Sequence, residues 1–129
     1  MFLKRKLYYA HSMRTYDTPK EKRETEILEA CFPKYYIFCP NKKSPVKWQS
    51  LRGNEVMQEC FKRVKKSRVI VATEYKGTVG KGIFEEVKLA LKLKKLVYVL
   101  RAFTLTIITD VEIVDRNNWA GGYGKIITT

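Results

Sequence analysis

The sequence feature that most constrains the fold is a continuous apolar run at residues 69–72, Val-Ile-Val-Ala. A strand covered on both faces of a sheet needs apolar side chains in both directions, whereas a strand with one solvated face alternates. Runs of strand-forming residues also occur at 7–10, 35–39 and 96–100. We therefore predict four strands, with residues 69–72 as the central one.

The segments between these runs predict three helices. Thr18 can cap the first helix, Pro19 suits its first position and Glu21 completes a capping box. This helix should end before Pro33, because proline disfavours helical geometry in the residue ahead of it. The residues expected on its inward face are Ile27, Leu28 and Cys31. The second helix is indicated by Val56, Met57, Cys60, Phe61 and Val64, and the third spans residues 83–93.

Strand and helix alternate three times, which implies right-handed crossovers and a parallel sheet with helices on both faces. A length of 129 residues is typical of one domain. We predict a single α/β domain over residues 1–129, with one open, mainly parallel sheet in a flavodoxin- or Rossmann-like three-layer α/β/α fold. Residues 105–108 and 111–114 are predicted at the sheet edge, as one strand or as an antiparallel hairpin across Thr109 and Asp110.

The charge balance favours anionic partners. The net charge is +13, from 26 Lys and Arg against 13 Asp and Glu, which suits nucleotides, nucleic acid or an acidic protein surface. A solvated lysine-rich surface is the alternative, because long-range charge specifies no site. No stretch approaches the roughly 20 apolar residues of a membrane span, and no signal-peptide core is evident, so we expect a cytoplasmic protein with no membrane partner.

The cysteines do not form a recognisable motif. Cys31, Cys39 and Cys60 lack the paired spacing of a zinc or dithiol site, and His11 is the only histidine. We interpret the cysteines as reduced, mostly buried thiols. The sequence accordingly predicts no metal and no cofactor.

The ligand site is expected where open parallel sheets bind ligands, outside the carboxyl ends of the strands. The loops at that edge are 11–17, 39–43 and 73–82. The third is rich in glycine and leads into a helix, whose free amides and dipole favour an anion. It matches neither the Walker pattern nor the dinucleotide glycine spacing. A surface loop that uses glycine only for turns is the alternative.

Glu86 is the candidate catalytic residue. It shares a helix face with Ile83 and Ala90, so it should point towards the sheet near the helix start. Glu85 is spaced to face Lys88 and solvent. An inward carboxylate is costly unless something binds it, which indicates function. The alternative is a structural cap that bonds loop amides.

The other candidates are polar or glycine residues in the three loops. His11 is a candidate phosphate contact or acid–base group, and its neighbours are candidates for binding a sugar or phosphate; ordinary loop polarity is the alternative. The candidate ligand-binding residues are His11, Ser12, Arg14, Tyr16, Pro40, Asn41, Gly80, Lys81 and Gly82.

Four motifs occur in an order that points to a known family. They are Leu7-Tyr-Tyr-Ala-His-Ser12, Phe38-Cys-Pro40, Ser67-Arg-Val-Ile-Val-Ala72 and Gly82-Ile-Phe-Glu-Glu86-Val, the last followed by Ala90 and Lys95-Leu-Val97. Over residues 6–100 this order resembles the nucleoside 2-deoxyribosyltransferase-like family. In that family the first motif reads Tyr-Leu-Ala-Gly-Pro, and the second is a strand that ends in proline. The third motif reads Ser-Asp-Val-Val-Val-Ala. The fourth reads Gly-Thr-x-x-Glu-Ile and is followed by Ala and then by Gly-Lys-Pro-Val.

The resemblance implies that Glu86 is a nucleophile that attacks the anomeric carbon of a nucleoside, after which the sugar passes to another base or to water. It also implies a homo-oligomer whose sites are completed by a neighbouring chain, with Asn117 or Asn118 as the contribution. The family pattern is not fully kept: His11-Ser12 replaces Gly-Pro, Gly80-Lys81 replaces an acidic residue, and Lys88 replaces glycine. Lysine in place of an acid favours a more negative ligand, such as a nucleotide or phosphorylated sugar.

Two functions of other classes remain as alternatives. The first is a basic nucleotide- or nucleic-acid-binding module on the same fold, without catalysis. Its phosphate contacts would be Lys42-Lys43, Lys62-Arg63, Lys65-Lys66 and Lys94-Lys95. The second is a protein-interaction domain with no chemistry.

Overall fold

The structure is a computed structural model that describes residues 5–40 and 54–129. Its strands are β1 (Arg5–Ala10), β2 (Tyr35–Phe38), β3 (Val69–Thr73), β4 (Leu96–Arg101), β5 (Thr104–Ile113) and β6 (Gly124–Thr128). Its helices are α1 (Pro19–Cys31), α2 (Asn54–Lys66) and α3 (Lys81–Lys92), and a 3-10 helix, Met13–Thr15, follows β1. None of the helices in these ranges has the length and apolar character needed to cross a membrane.

The six strands form one open sheet in the order β2-β1-β3-β4-β5-β6. The pairs among β1 to β4 are parallel, whereas β5 is antiparallel to both β4 and β6. The predicted α/β class with an open, mainly parallel sheet is therefore confirmed. The chain winds in opposite directions from β1, to β2 on one side and β3 on the other. The carboxyl ends of β1 and β3 therefore form the switch point at which such folds bind ligands.

Alternate residues of β1 and β3 pack into two buried layers, because side chains of a strand point to opposite faces. The layer against α2 and α3 includes Tyr8, Ile70, Val64 and Val87. The layer against α1 includes Leu7, Tyr9, Val71 and Leu28. Every residue of β3 is buried. The prediction of a central strand covered on both faces is confirmed, and the helices complete a three-layer arrangement.

The buried face of α1 differs from the predicted one. The helix begins at Pro19 after the Thr18 cap and ends at Cys31, ahead of Pro33, as predicted. However, Cys31 is exposed, and the buried residues are Glu21, Glu24 and Leu28. Both carboxyl groups have buried polar partners, which offset the loss of hydration. The prediction that the three thiols are mostly buried is confirmed, because Cys39 and Cys60 are buried.

The C-terminal strands also differ from the prediction. Of the two predicted arrangements for residues 105–114, the single strand is confirmed and the hairpin across Thr109 and Asp110 is wrong, because β5 runs through both residues. The turn lies instead between β4 and β5 at Ala102 and Phe103, whose φ angles are 45° and 61°. Two-residue hairpin turns favour such positive φ values, usually with glycine or asparagine, and neither residue type marks this turn. The position of β6 was not predicted.

Candidate functional site

A cavity of about 340 Å³ lies at the switch point between β1 and β3. The lining residues are Ser12, Arg14, Thr15, Lys20, Thr73, Glu74, Tyr75, Thr78, Val79, Gly80, Ile83, Ala120 and Gly121. Two of the three loops predicted from the sequence, 11–17 and 73–82, therefore meet here, joined by the loop that precedes β6. Among the predicted ligand-binding residues, Ser12, Arg14 and Gly80 line the cavity.

The charged side chains of the lining are mainly cationic. Arg14 and Lys20 carry positive charge, whereas the acid Glu74 is paired with Arg101, whose Nε donates to Oε1 and whose Nη2 donates to Oε2 at 3.2 Å. Because this pair is neutral overall, the remaining charge favours an anionic ligand group. Sequence reasoning missed Lys20 and Glu74. Glu74 directly follows β3, at the carboxyl end of a central strand, and this position could have indicated a residue of the ligand site.

The start of α3 is fastened to the loop before β6. Gly80 is the N-cap and supplies no side-chain cap, and the Lys81 N–H donates to the Trp119 carbonyl at 3.0 Å. The Lys81 ammonium lies 4.0 Å from the centroid of the Trp119 ring and 5.7 Å from that of Tyr123. Cation–π attraction therefore holds Lys81 against these rings. Lys81 and Gly82 are outside the cavity lining, although both were predicted ligand contacts.

Gly80 and Gly82 give a matched pair of substitutions. A Cβ at Gly80 would lie 2.7 Å from the Trp119 carbonyl oxygen, whereas one at Gly82 would meet only Met57 Sδ, at 3.7 Å. We expect Gly80→Ala to lower the free energy of unfolding by roughly 1–3 kcal/mol, the usual cost of overpacking. Gly82→Ala should raise it by about 0.5–1 kcal/mol, because alanine favours a helix over glycine. Urea unfolding measures both, and equal effects would contradict the close approach at Gly80.

Glu86 lies on the sheet-facing side of α3 and is 5 % exposed, so the inward orientation predicted from helical spacing is confirmed. Burial raises the pKa of Glu86 from 4.5 to about 7. The neighbouring Tyr8 hydroxyl favours the charged form of the Glu86 carboxyl group and so lowers this pKa in part. The second carboxyl oxygen, Glu86 Oε2, is buried and has no hydrogen-bond partner within residues 5–40 and 54–129, which disfavours a negative charge on the group.

The groups that surround Glu86 are neutral near pH 7. Burial raises the pKa of Tyr8 on β1 and of Tyr16 above its ordinary value, and it raises the pKa of Cys60 on α2 to about 12. The negative charge of Glu86 raises each of these pKa values further. A carboxyl group enclosed by neutral phenols and a thiol, with a pKa close to neutrality, has the character of a functional group rather than of a surface acid.

His11 is directed away from the cavity. Its side chain is 0 % exposed, Nε2 lies 2.6 Å from Glu21 Oε2, and Nδ1 lies 3.1 Å from the Tyr9 carbonyl. The ring stacks on Tyr9 with centroids 3.8 Å apart. Pro40 is also buried, Tyr16 is half-buried, and Asn41 lies outside the described residues. His11, Tyr16 and Pro40 do not line the cavity, so His11 reaches a ligand there only if the loop rearranges.

The loop before β6 contributes to the cavity within the same chain, through Ala120 and Gly121. Asn118, one of the two residues predicted to complete a neighbouring site, contacts this loop instead: its Nδ2 lies 2.6 Å from the position of a Cβ on Gly122. The contribution of Asn117 or Asn118 to a second chain stays a prediction.

Comparison with known proteins gives no family assignment. No family model matches this chain, and no curated protein matches it. The resemblance to the nucleoside 2-deoxyribosyltransferase-like family therefore rests on the sequence motifs alone.

Proposed function

We propose that this protein cleaves the N-glycosidic bond of a nucleoside or nucleotide, with Glu86 as the nucleophile. The Glu86 carboxylate would attack the anomeric carbon while the carbon–nitrogen bond breaks, and the base would leave with the bonding electrons and take a proton from solvent. Water or a second base then attacks the same carbon and frees Glu86. The observation that carries the proposal is the buried, unpartnered Oε2 of Glu86 in the second turn of α3.

The surroundings of Glu86 support this chemistry. An ionised carboxylate with no nearby cation is unstable in a buried site, and an anomeric carbon gains positive charge as its bond to the base breaks. The reacting sugar would therefore supply the missing electrostatic partner at the transition state, which is when stabilisation accelerates a reaction. The Tyr8 hydroxyl lowers the pKa of Glu86 in part, which favours the ionised form that a nucleophile needs. The family motifs point to the same residue independently.

The cationic lining favours a substrate with a phosphate group. Arg14 and Lys20 both face the cavity, and cationic side chains bind phosphate by charge-assisted hydrogen bonds. We therefore propose nucleoside monophosphates as the better substrates.

Glu86 itself does not line the cavity, whereas Ile83, one turn earlier on the same helix face, does. A substrate thus reaches the carboxylate only if a covering element moves. The 3-10 helix Met13–Thr15 has no buried residues, and segments with few buried contacts open at low free energy. We propose that this helix moves when the substrate binds.

Incubation with nucleosides and 2-deoxynucleoside monophosphates tests the proposal. Chromatography should show free base, faster from the monophosphates. Mass spectrometry of the protein during turnover should show a sugar adduct on the peptide that contains Glu86. If no panel member releases base, the glycosidase proposal is wrong. Release that is equally fast from nucleosides would overturn the phosphate preference alone.

The activity should depend on pH with a limb at the pKa of Glu86. The nucleophile must be ionised and its pKa is about 7, so kcat/KM should rise about tenfold per pH unit below pH 7 and level off above it. Tyr8, Tyr16 and Cys60, the groups that face it, stay protonated over this range. Initial rates from pH 5 to 9 measure the profile, and a limb near pH 4.5 would show that Glu86 is solvated.

A basic surface at the opposite edge of the sheet favours nucleic-acid binding as a second candidate function. The Lys95 Nζ donates to the Lys65 carbonyl at 2.9 Å, which brings the end of α2 next to the end of α3. The basic residues at these ends are Lys65, Lys66, Lys94 and Lys95. Lys62 and Arg63 lie earlier on α2, 3.9 and 4.0 Å from carboxylate oxygens of Glu59. Lys42 and Lys43 lie outside the described residues. Binding of a fluorescent oligonucleotide that weakens steeply with salt, in a protein without base release, would favour this function.

A further inference from the structure

His11, Glu21 and Cys39 form a buried cluster of three potential metal ligands. His11 Nε2, a carboxylate oxygen of Glu21 and Cys39 Sγ all lie within 4.8 Å of one another. They come from the residue after β1, the first turn of α1 and the residue after β2. The strand and helix ends therefore bring together nitrogen, oxygen and sulfur donors that are far apart in the sequence.

Hydrogen bonds orient two of these donors towards one another. The Nδ1 of His11 lies 3.1 Å from the Tyr9 carbonyl, which accepts a hydrogen bond when Nδ1 carries a proton. Metal-binding histidines are commonly held by such a bond from the second nitrogen to a carbonyl. Glu21 Oε1 accepts from the Asp17 N–H at 3.1 Å, and Oε2 faces His11. An incoming ion would replace the proton that His11 Nε2 and Glu21 Oε2 share at 2.6 Å. The cluster thus has the supporting bonds of a metal site as well as its ligand types.

We propose that His11, Glu21 and Cys39 bind a zinc ion. Imidazole, carboxylate and thiolate are the ligands that Zn²⁺ accepts in proteins. The Nε2 to Sγ distance is 3.9 Å, close to the roughly 3.6 Å between nitrogen and sulfur ligands of a tetrahedral zinc ion. The Nε2 to Oε2 distance of 2.6 Å must widen to about 3.3 Å when both atoms bind the ion.

An ion has a path to this cluster. Glu21 and Cys39 both line a groove of about 940 Å³ between α1 and β2. Three protein ligands leave a fourth tetrahedral position for water. The bound ion would join β1, α1 and β2 and so stabilise the folded protein by mass action. The proposal does not depend on glycosidic chemistry, because none of the three ligands is Glu86.

Cobalt substitution of chelator-treated, reduced protein tests the site. Addition of Co²⁺ should produce a thiolate-to-cobalt charge-transfer absorption in the near ultraviolet that saturates at one cobalt per chain, and Zn²⁺ should abolish it. Zn²⁺ should also raise the Tm. Cys39→Ser should remove the charge-transfer absorption. Cys31→Ser, at an exposed thiol, and Cys60→Ser, at a buried thiol outside the cluster, should both retain it.

A second variant keeps the test decisive if Cys39→Ser does not fold, as judged by circular dichroism. His11→Gln should lower the Zn²⁺ affinity more than about 100-fold, because loss of a ligand exceeds the 10–100-fold effect of losing a supporting bond. The proposal is overturned if wild-type protein shows no thiolate charge transfer, if binding does not saturate at one ion per chain, or if His11→Gln leaves the affinity unchanged.

Discussion

Glu86→Gln is expected to reduce the release of free base by roughly a thousandfold or more, as removal of a catalytic nucleophile does. Glutamine keeps the size of the side chain and its hydrogen-bonding capacity, but its amide cannot form the glycosyl ester. The loss should appear in kcat, with little change in KM, because the proposed phosphate contacts, Arg14 and Lys20, lie elsewhere. Single-turnover rates with a 2-deoxynucleoside monophosphate measure the effect, and the sugar adduct should disappear with the activity.

Glu85→Gln is the matched control for that experiment. It makes the same chemical change one residue earlier on α3, at a side chain that is more exposed than Glu86. We expect its rate to stay within about threefold of the wild type, because Glu85 is partly exposed and substitutions away from buried or functional features usually have small effects. Equal losses in both variants would mean that the carboxylates act through helix stability or net charge. Undiminished activity of Glu86→Gln would remove Glu86 as the nucleophile.

The parallel part of the fold was predictable because each element carries its own local signal. The apolar run at residues 69–72 indicates a strand buried on both faces, and Thr18 with Pro19 marks a helix start, as the structure confirms. The turn at Ala102 and Phe103 has no such signal, since neither residue favours a positive φ. The burial of Glu21 and Glu24 was equally hidden, because it depends on partners distant in the sequence.

The candidate site was predictable only where a single helix or loop defines it. Helical spacing alone was enough to place Glu86 inward, and the topology rule placed the loops at residues 11–17 and 73–82 together. Two other features of the site are tertiary contacts: His11 points towards Glu21, and the Lys81 ammonium packs on the Trp119 ring. They depend on how α1 and the loop before β6 pack, and periodicity carries no information about that packing.

The same substitution, Glu86→Gln, should stabilise the protein at pH 8 by about 3 kcal/mol and have little effect at pH 4. The folded pKa of Glu86 is about 7, against an ordinary value of 4.5. Between these values the unfolded chain loses the proton while the folded protein keeps it, so wild-type stability falls as pH rises through this window. Each tenfold change in the ionisation constant is worth about 1.4 kcal/mol, so the difference between the two pKa values corresponds to the stabilisation of about 3 kcal/mol. Glutamine does not titrate and avoids this loss.

Urea unfolding of the wild type, Glu86→Gln and Glu85→Gln from pH 4 to 8 measures this difference. The other titrating groups are common to all three proteins, so they cancel when the curves are subtracted. If Glu86 were a structural cap for loop amides, Glu86→Gln would instead destabilise the protein at every pH. If Glu86→Gln is more stable than the wild type at pH 8 but inactive, the wild-type carboxylate lowers stability and is required for activity. This trade-off is expected of a functional group. If Glu86→Gln stabilises the protein at pH 8 but leaves turnover unchanged, Glu86 is not the nucleophile. Its burial would then have a reason other than catalysis.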